Sequence, residues 1–220
     1  MNDLGLALNL QAQYDGKIPS KLLNGVSYSI LNIEPGVLDL LFEGSHDISD
    51  AKRDLEAFMG NCPFGLVHQG AWLGIPEVID AELNSLSPLM KIRCTGHSRG
   101  AQQAQLAYRE LYRRGYTNLE CITFECPRFG DMKAVLYASD VVDNRTYQNY
   151  KNLFESDFFT MIPVHLALEP YAEVPNCTRY WQAPSANNEY KEFPLNIQAH
   201  SLEDCVLPYL KTICPCTSPS

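Results

Sequence analysis

Hydrophobic and polar positions change period repeatedly along this chain, and each change predicts an element. Apolar residues at 4, 6, 8 and 10 within Leu4 to Tyr14 alternate in a way that also suits a strand, and the stretch is read as a short helix. Two β-prone runs follow, Gly25 to Asn32 and Gly36 to Gly44, joined by Ile33-Glu34-Pro35-Gly36. The Pro-Gly pair marks a turn, so the two runs read as a hairpin. From Asp47 to Met59, the residues Ile48, Ala51, Leu55, Phe58 and Met59 share one helical face, with Asp50, Lys52, Arg53 and Asp54 opposite. Asp47 is placed to cap that amphipathic helix. Further on the pattern predicts a short strand at Gly65 to His68, a helix at Pro76 to Leu86, and strands at Leu119 to Phe124, Tyr147 to Phe154 and Arg179 to Gln182. Ser201 to Leu210 closes the chain as a helix. Strands alternating with helices imply a largely parallel sheet covered on both faces, an α/β fold.

The most informative stretch lies between Leu89 and Arg114. A β-prone run through Lys91-Ile92-Arg93-Cys94-Thr95 meets Gly96-His97-Ser98-Arg99-Gly100, and a run of good helix formers follows at once. G-x-S-x-G between a strand and a helix is the outline of a nucleophile elbow. The reason is steric: a serine on so tight a turn has no room for side chains two residues before and after it. Gly96 and Gly100 remove them. Such a turn also sets Ser98 at a helix N-terminus, where amides and the helix dipole favour the negative charge of acyl transfer, and the Arg99 amide is a candidate oxyanion donor.

Composition narrows the choice of partner. Two hundred and twenty residues suit one domain with a full core, here taken as residues 1–213 with a loose tail at 214–220. A formal charge of −9 with no basic cluster argues against nucleic acid. The longest apolar run, Phe158 to Leu168, is interrupted by Thr160, Pro163 and His165, so no membrane span is expected. The N-terminus lacks a basic region followed by an apolar one, which makes the cytoplasm the default compartment unless a signal has been trimmed. Eight cysteines would permit disulfides, but Cys94 and Cys121 fall in predicted buried strands and read as small core hydrophobes. Cys214 and Cys216 have no metal-ligand spacing with any histidine, so zinc is not expected. Asn144-Arg145-Thr146 and Asn176-Cys177-Thr178 are glycosylation sequons that matter only on export.

A serine nucleophile needs a base and a group to orient it, which on such a scaffold follow in the order acid, then histidine. Only His165 and His200 come after Ser98. His165 lies eight residues beyond Asp157 and reads as a loop or semi-buried histidine. His200, at the head of the closing helix, stands where the loop after the last strand delivers a base. Among the carboxylates between them, Asp157 directly follows a predicted strand and precedes the apolar Phe158-Phe159-Thr160-Met161-Ile162-Pro163. It is the expected acid, whereas Glu125, Asp131 and Glu155 are among the alternatives.

These positions resemble the class 3 lipases, the fungal-type triacylglycerol lipase family that also contains feruloyl esterases. Leu41-Phe42-Glu43-Gly44-Ser45 is similar to the family's F-R-G-[ST] loop, Val67-His68-Gln69-Gly70 to V-H-x-G-F, and Thr95 to Gly100 to T-G-H-S-L-G. Thr123-Phe124-Glu125-Cys126-Pro127-Arg128-Phe129-Gly130-Asp131 resembles T-F-G-x-P-R-V-G-[DN], Ser156 to Pro163 the acid loop, and Ala199-His200-Ser201 the base loop. The resemblance implies an α/β-hydrolase fold, an ester substrate, and no metal or organic cofactor. It assigns Ser98 as nucleophile, Asp157 as acid and His200 as base, with Ser45 as the second oxyanion donor beside Arg99. His68 and His97 become candidates for packing beneath the site.

The sequence departs from the family in three places. Arg99 replaces a leucine and Ala101-Gln102 replaces Gly-Ala; the Arg99 guanidinium is expected either to pair with a carboxylate or to face the cleft. His46 to Asp54, where lipases of this family carry a lid, is strongly polar and has no aromatic, which favours soluble or short-chain esters over an oil interface. Ala71-Trp72 stands in for phenylalanine, with Trp72 and the later Trp181 both reading as core. A catalytically silent binding module and an acyltransferase on the same fold stay open as alternatives, as does any oligomeric state.

Overall fold

The computed structural model describes residues 2–44, 58–149, 171–180 and 200–213. Its frame is a seven-stranded sheet in the order β1-β2-β3-β6-β7-β8-β9, with a separate β4-β5 hairpin beside it. In chain order the elements are α1 (Asp3–Tyr14), β1 (Lys21–Leu23), β2 (Val26–Leu31), β3 (Val37–Phe42), β4 (Met59–Cys62), β5 (Gly65–His68), α2 (Gln69–Trp72) and α3 (Ile75–Glu82). After them come β6 (Lys91–His97), α4 (Arg99–Arg113), β7 (Leu119–Phe124), α5 (Met132–Leu136), β8 (Asp143–Asn149) and β9 (Cys177–Tyr180). The last element, α6, is a π-type turn at Leu202–Val206 running into an α-helix at Leu207–Ile213.

The Pro35-Gly36 turn delivers the expected hairpin: β2 and β3 pair antiparallel with Tyr28 opposite Phe42. From β3 onward every pairing is parallel, through β6, β7 and β8 to β9. Parallel neighbours need crossovers, and α4 supplies the one between β6 and β7. The period of two along each strand then sorts side chains between two cores. Leu38, Leu40, Phe42, Ile92, Cys94 and Cys121 face α3 and α4, packing with Ile75, Val78, Ala104, Ala107 and Tyr108. Leu41, Ile122 and Phe124 face the other way, under Leu4, Leu6 and Leu10 of α1 and Leu202, Val206 and Leu210 of α6. The terminal helices thus close one face together.

Cys94 and Cys121 are buried free thiols in register on adjacent strands, as the sequence suggested. A charged pair also spans the sheet: Arg93 Nε donates to Asp39 Oδ1 at 2.6 Å, both side chains being inaccessible and directly opposite in the β3–β6 ladder. Glu34 and Glu120 complete the cluster around that guanidinium.

Helix α4 is buried along both flanks, so its polar residues need internal partners. Gln105 Nε2 donates to Thr123 Oγ1, Asn144 Oδ1 and Thr146 Oγ1 across β7 and β8. Arg109 Nε and Nη2 donate to the Ala134 and Val135 carbonyls, fastening α5. Asn144 is therefore a core residue, and its sequon is closed in the folded chain, whereas Asn176 is exposed.

Several boundaries differ from the expectations. The helix expected at Asp47 to Met59 fails at its C-terminal end: Met59 opens β4, and Phe58 is 70% exposed rather than on a buried face. Pairing of Met59 with His68 across the β4–β5 hairpin overrides the helical spacing. Ser45 and positions 46–57 of that stretch lie outside the described residues. Strand β8 begins at Asp143 rather than Tyr147, because its polar start is paired internally through Asn144 and Thr146. β9 begins two residues before the expected Arg179. The sequence pattern gives no sign of β1, α2 or α5. Trp72 packs edge-on against Phe64 with 5.4 Å between ring centroids, joining the core as expected; Trp181 lies outside the described residues. No helix among the described residues is long and apolar enough to cross a membrane.

Candidate active site

The parallel strands β3, β6, β7 and β8 end at one edge of the sheet, and the site is built there. Ser98 links β6 to α4 with φ 58° and ψ −127°, a backbone conformation that costs a non-glycine residue energy. The elbow glycines behave as the steric argument requires. A Cβ on Gly96 would sit 2.1 Å from the Gly100 carbonyl oxygen, and one on Gly100 would sit 2.2 Å from that of Phe42. The tight turn lets β6 pass directly into α4 against the end of β3. Ser98 N–H donates to the Phe124 carbonyl, tying the turn to β7 as well.

Across the edge, the chain entering α6 brings in His200. Its Nε2 lies 2.6 Å from Ser98 Oγ, a serine–imidazole hydrogen bond between residues 102 positions apart. Burial pushes the His200 pKa down to about 4, partly opposed by the negative charge of Glu125. The ring is therefore neutral near pH 7, with a lone pair available to accept the serine proton. Ser98 and His200, the two members of the expected triad that the structure describes, are thus brought together. Asp157, Ser45 and His165 lie outside the described residues. Arg99 is the first residue of α4, so its amide adjoins Ser98, and its Nη2 donates to the Gly70 carbonyl at 3.0 Å, tying the start of α4 to α2.

Three other groups hold this edge. Glu125 follows β7 with φ 49°, where the T-F-G motif has glycine, and is inaccessible to solvent. Both of its carboxylate oxygens accept from Asn149 N–H at 3.0 Å, which fixes the end of β8 against β7. The motif mismatch at Glu125 could have flagged it in the sequence, since a bulky residue in a left-handed slot needs a compensating contact. His68 Nδ1 accepts from Ala71 N–H and caps α2, a structural role. His97 lies beneath His200, with 5.1 Å between ring centroids, and is joined by Tyr14 from the end of α1. No sequence signal singled out Tyr14. Asp131 caps α5 through Ala134 N–H. The described residues include no cluster of histidine, cysteine and carboxylate groups able to hold a metal.

The family model for class 3 lipases matches residues 40–166, more than half of the chain. The chain belongs to the class 3 lipase family. At the level of class, that makes it a serine carboxylic-ester hydrolase with an α/β-hydrolase fold. Solved structures agree on the fold. The triacylglyceride lipase of Rhizomucor miehei superposes with a TM-score of 0.64 at 21% identity, over 82% of this chain and 79% of that one. A triacylglycerol lipase whose catalytic centre is formed by a serine protease triad gives 0.61 at 22% identity, over 82% and 79%. A lipase from Rhizopus microsporus var. chinensis gives 0.62 at 19%, over 83% and 75%. No curated protein sequence matches this class 3 lipase.

Proposed function

We propose that this class 3 lipase is an esterase of soluble or short-chain carboxylic esters, with Ser98 as nucleophile, His200 as general base and Asp157 as the acid that orients it. The observation that carries the reading is the 2.6 Å approach of His200 Nε2 to Ser98 Oγ on an elbow held by glycines at 96 and 100. Neutral His200 takes the proton of Ser98 as Oγ adds to the ester carbonyl, and the imidazolium returns that proton to the departing alkoxide. The acyl-enzyme forms as the alcohol leaves. Water, deprotonated by His200, then adds to the acyl carbon, and Ser98 Oγ recovers the proton as the acid is released. The amides of Arg99 and Ser45 are the proposed donors to the oxyanion; Arg99 has the position for it, next to the nucleophile in the first turn of α4.

The short-chain preference rests on composition. The segment 46–54 carries Asp47, Asp50, Lys52, Arg53 and Asp54 and no aromatic residue, a poor match for an oil surface. Hydrolysis of p-nitrophenyl esters from acetate to palmitate tests both parts. Turnover falling with chain length and lost in Ser98→Ala is expected. A long-chain optimum, or a steep rise in rate above the substrate's solubility limit, would contradict the preference while leaving the serine mechanism in place.

A further inference from the structure

Beneath the proposed nucleophile lies a hydrogen-bonded chain that the triad does not include. His97 Nε2 is 2.7 Å from the backbone carbonyl of His200, and His97 Nδ1 is 3.1 Å from the Tyr14 hydroxyl. The same hydroxyl accepts from Gly44 N–H at 3.0 Å. Donor chemistry fixes every proton. A carbonyl oxygen can only accept, so His97 Nε2 carries hydrogen. His97 is fully buried and held neutral by that burial, its pKa falling to about 3, so Nδ1 is a bare lone pair. Tyr14 therefore donates its proton to Nδ1, and its oxygen takes the Gly44 amide. The direction is unique: Gly44 N–H to Tyr14, Tyr14 O–H to His97, His97 N–H to the His200 carbonyl.

We infer that Tyr14 is a positioning residue for ester hydrolysis, locking the tautomer of His97 and thereby tying the backbone of His200 to the strand end that leads into residue 45. The two ends of this chain are the places that must stay fixed relative to Ser98. Gly44 follows β3 and packs under the serine, where an added Cβ would stand 3.3 Å from Ser98 Cβ and 2.6 Å from the His97 carbonyl oxygen. His200 carries the imidazole that meets Ser98 Oγ. A His97 ring in the same orientation with its hydrogen on Nδ1 would turn the Nε2 lone pair toward the His200 carbonyl and repel it. The Tyr14 proton prevents this by occupying Nδ1. Helix α1 is seated by Leu4, Leu6 and Leu10, which pack on the sheet, and at its start by Tyr147 Oη, which donates to Asp3 Oδ2 at 2.5 Å.

The inference rests on the esterase reading, and the test separates the two. Steady-state kinetics on p-nitrophenyl acetate are compared for wild type, Tyr14→Phe, His97→Gln, their double variant, Val78→Ala and Ser98→Ala. Tyr14→Phe should lower kcat by about 10-fold or more with KM within about twofold, because the base is misplaced while the cleft is not. His97→Gln keeps a donor for the His200 carbonyl and should retain more activity than Tyr14→Phe, and the double variant should lose no more than the worse single one. Val78→Ala opens the core under α3, on the sheet face away from α1, and should lower the melting temperature while leaving kcat within about twofold. A Tyr14→Phe enzyme with kcat within twofold of wild type overturns the assignment, as does a loss matched by Val78→Ala. Activity that survives Ser98→Ala instead condemns the nucleophile reading. One readout stands apart from turnover: nitrogen NMR of the His97 ring should show hydrogen on Nε2 alone, and an Nδ1-protonated ring refutes the inference.

Discussion

Gly100→Ala is the sharpest steric perturbation the elbow offers. Its new methyl carbon would lie 2.2 Å from the Phe42 carbonyl oxygen and 2.8 Å from the carbonyl carbon, both backbone atoms of the neighbouring strand. At least 0.8 Å must be opened merely to reach 3.0 Å, and no flexible side chain is available to give way. Overpacking of this kind costs about 1–3 kcal/mol, which for a chain of this length lowers Tm by roughly 2–4 °C per kcal/mol. The displacement falls on the first turn of α4, which carries the Arg99 amide and follows Ser98 directly. A reacting group moved by about 1 Å can lose on the order of 10²-fold in rate. The assay pairs a thermal melt with kcat/KM on p-nitrophenyl acetate. Gly115→Ala serves as the control: its φ of +93° imposes backbone strain, but an added Cβ meets nothing within 4 Å. It should cost stability and leave turnover alone. A Gly100→Ala enzyme that melts late and turns over at half the wild-type rate or better would refute the steric account of the elbow.

Removing one charge from the buried pair across β3 and β6, as in Asp39→Asn, should destabilise by about 3 kcal/mol, read in urea titrations, because Arg93 stays buried and loses its closest carboxylate; an unchanged midpoint would contradict this. Acid stability follows from the two histidines: their folded pKa values, about 3 for His97 and about 4 for His200, lie below the usual 6.5, so the unfolded chain takes up protons first. The stability they contribute is complete above about pH 6.5 and is lost as pH falls toward the folded values, amounting for His97 alone to about 3 kcal/mol at pH 4. Melting curves should therefore show wild type losing more stability between pH 7 and 4 than His97→Gln, and equal losses would argue against a neutral buried His97. Arg99→Leu is expected to leave the preference between neutral and anionic esters unchanged, since the Gly70 carbonyl already holds its guanidinium; a selective loss of anionic esters would place that charge in the cleft.

What the sequence made legible was local or steric. Gly96, Ser98 and Gly100 announce the elbow because only glycine fits beside a carbonyl 2.1–2.2 Å from where a Cβ would be. Pro35-Gly36 announces the hairpin, and the order of Ser98 and His200 foretells a contact across 102 residues. What stayed hidden depends on partners distant in sequence. The start of β8 looks too polar for a strand until Gln105 and Tyr108 of α4 are seen to satisfy Asn144. Met59 fits a helical face by spacing, yet its pairing with His68 decides for strand. Tyr14 ends a helix with nothing in its neighbourhood to suggest a role, because its partners, Gly44 and His97, are 30 and 83 residues away. By its place in the chain Glu125 reads as a carboxylate alternative for the triad, whereas its two oxygens on Asn149 N–H make it a strand clamp.

The central claim is that Ser98 is the nucleophile activated by His200. Its most direct test is reaction with a fluorophosphonate followed by peptide mass spectrometry. Wild type should carry one adduct, on the peptide containing Ser98, with none in Ser98→Ala and labelling slowed by orders of magnitude in His200→Ala. An adduct on another residue, or labelling as fast without His200, would contradict the account.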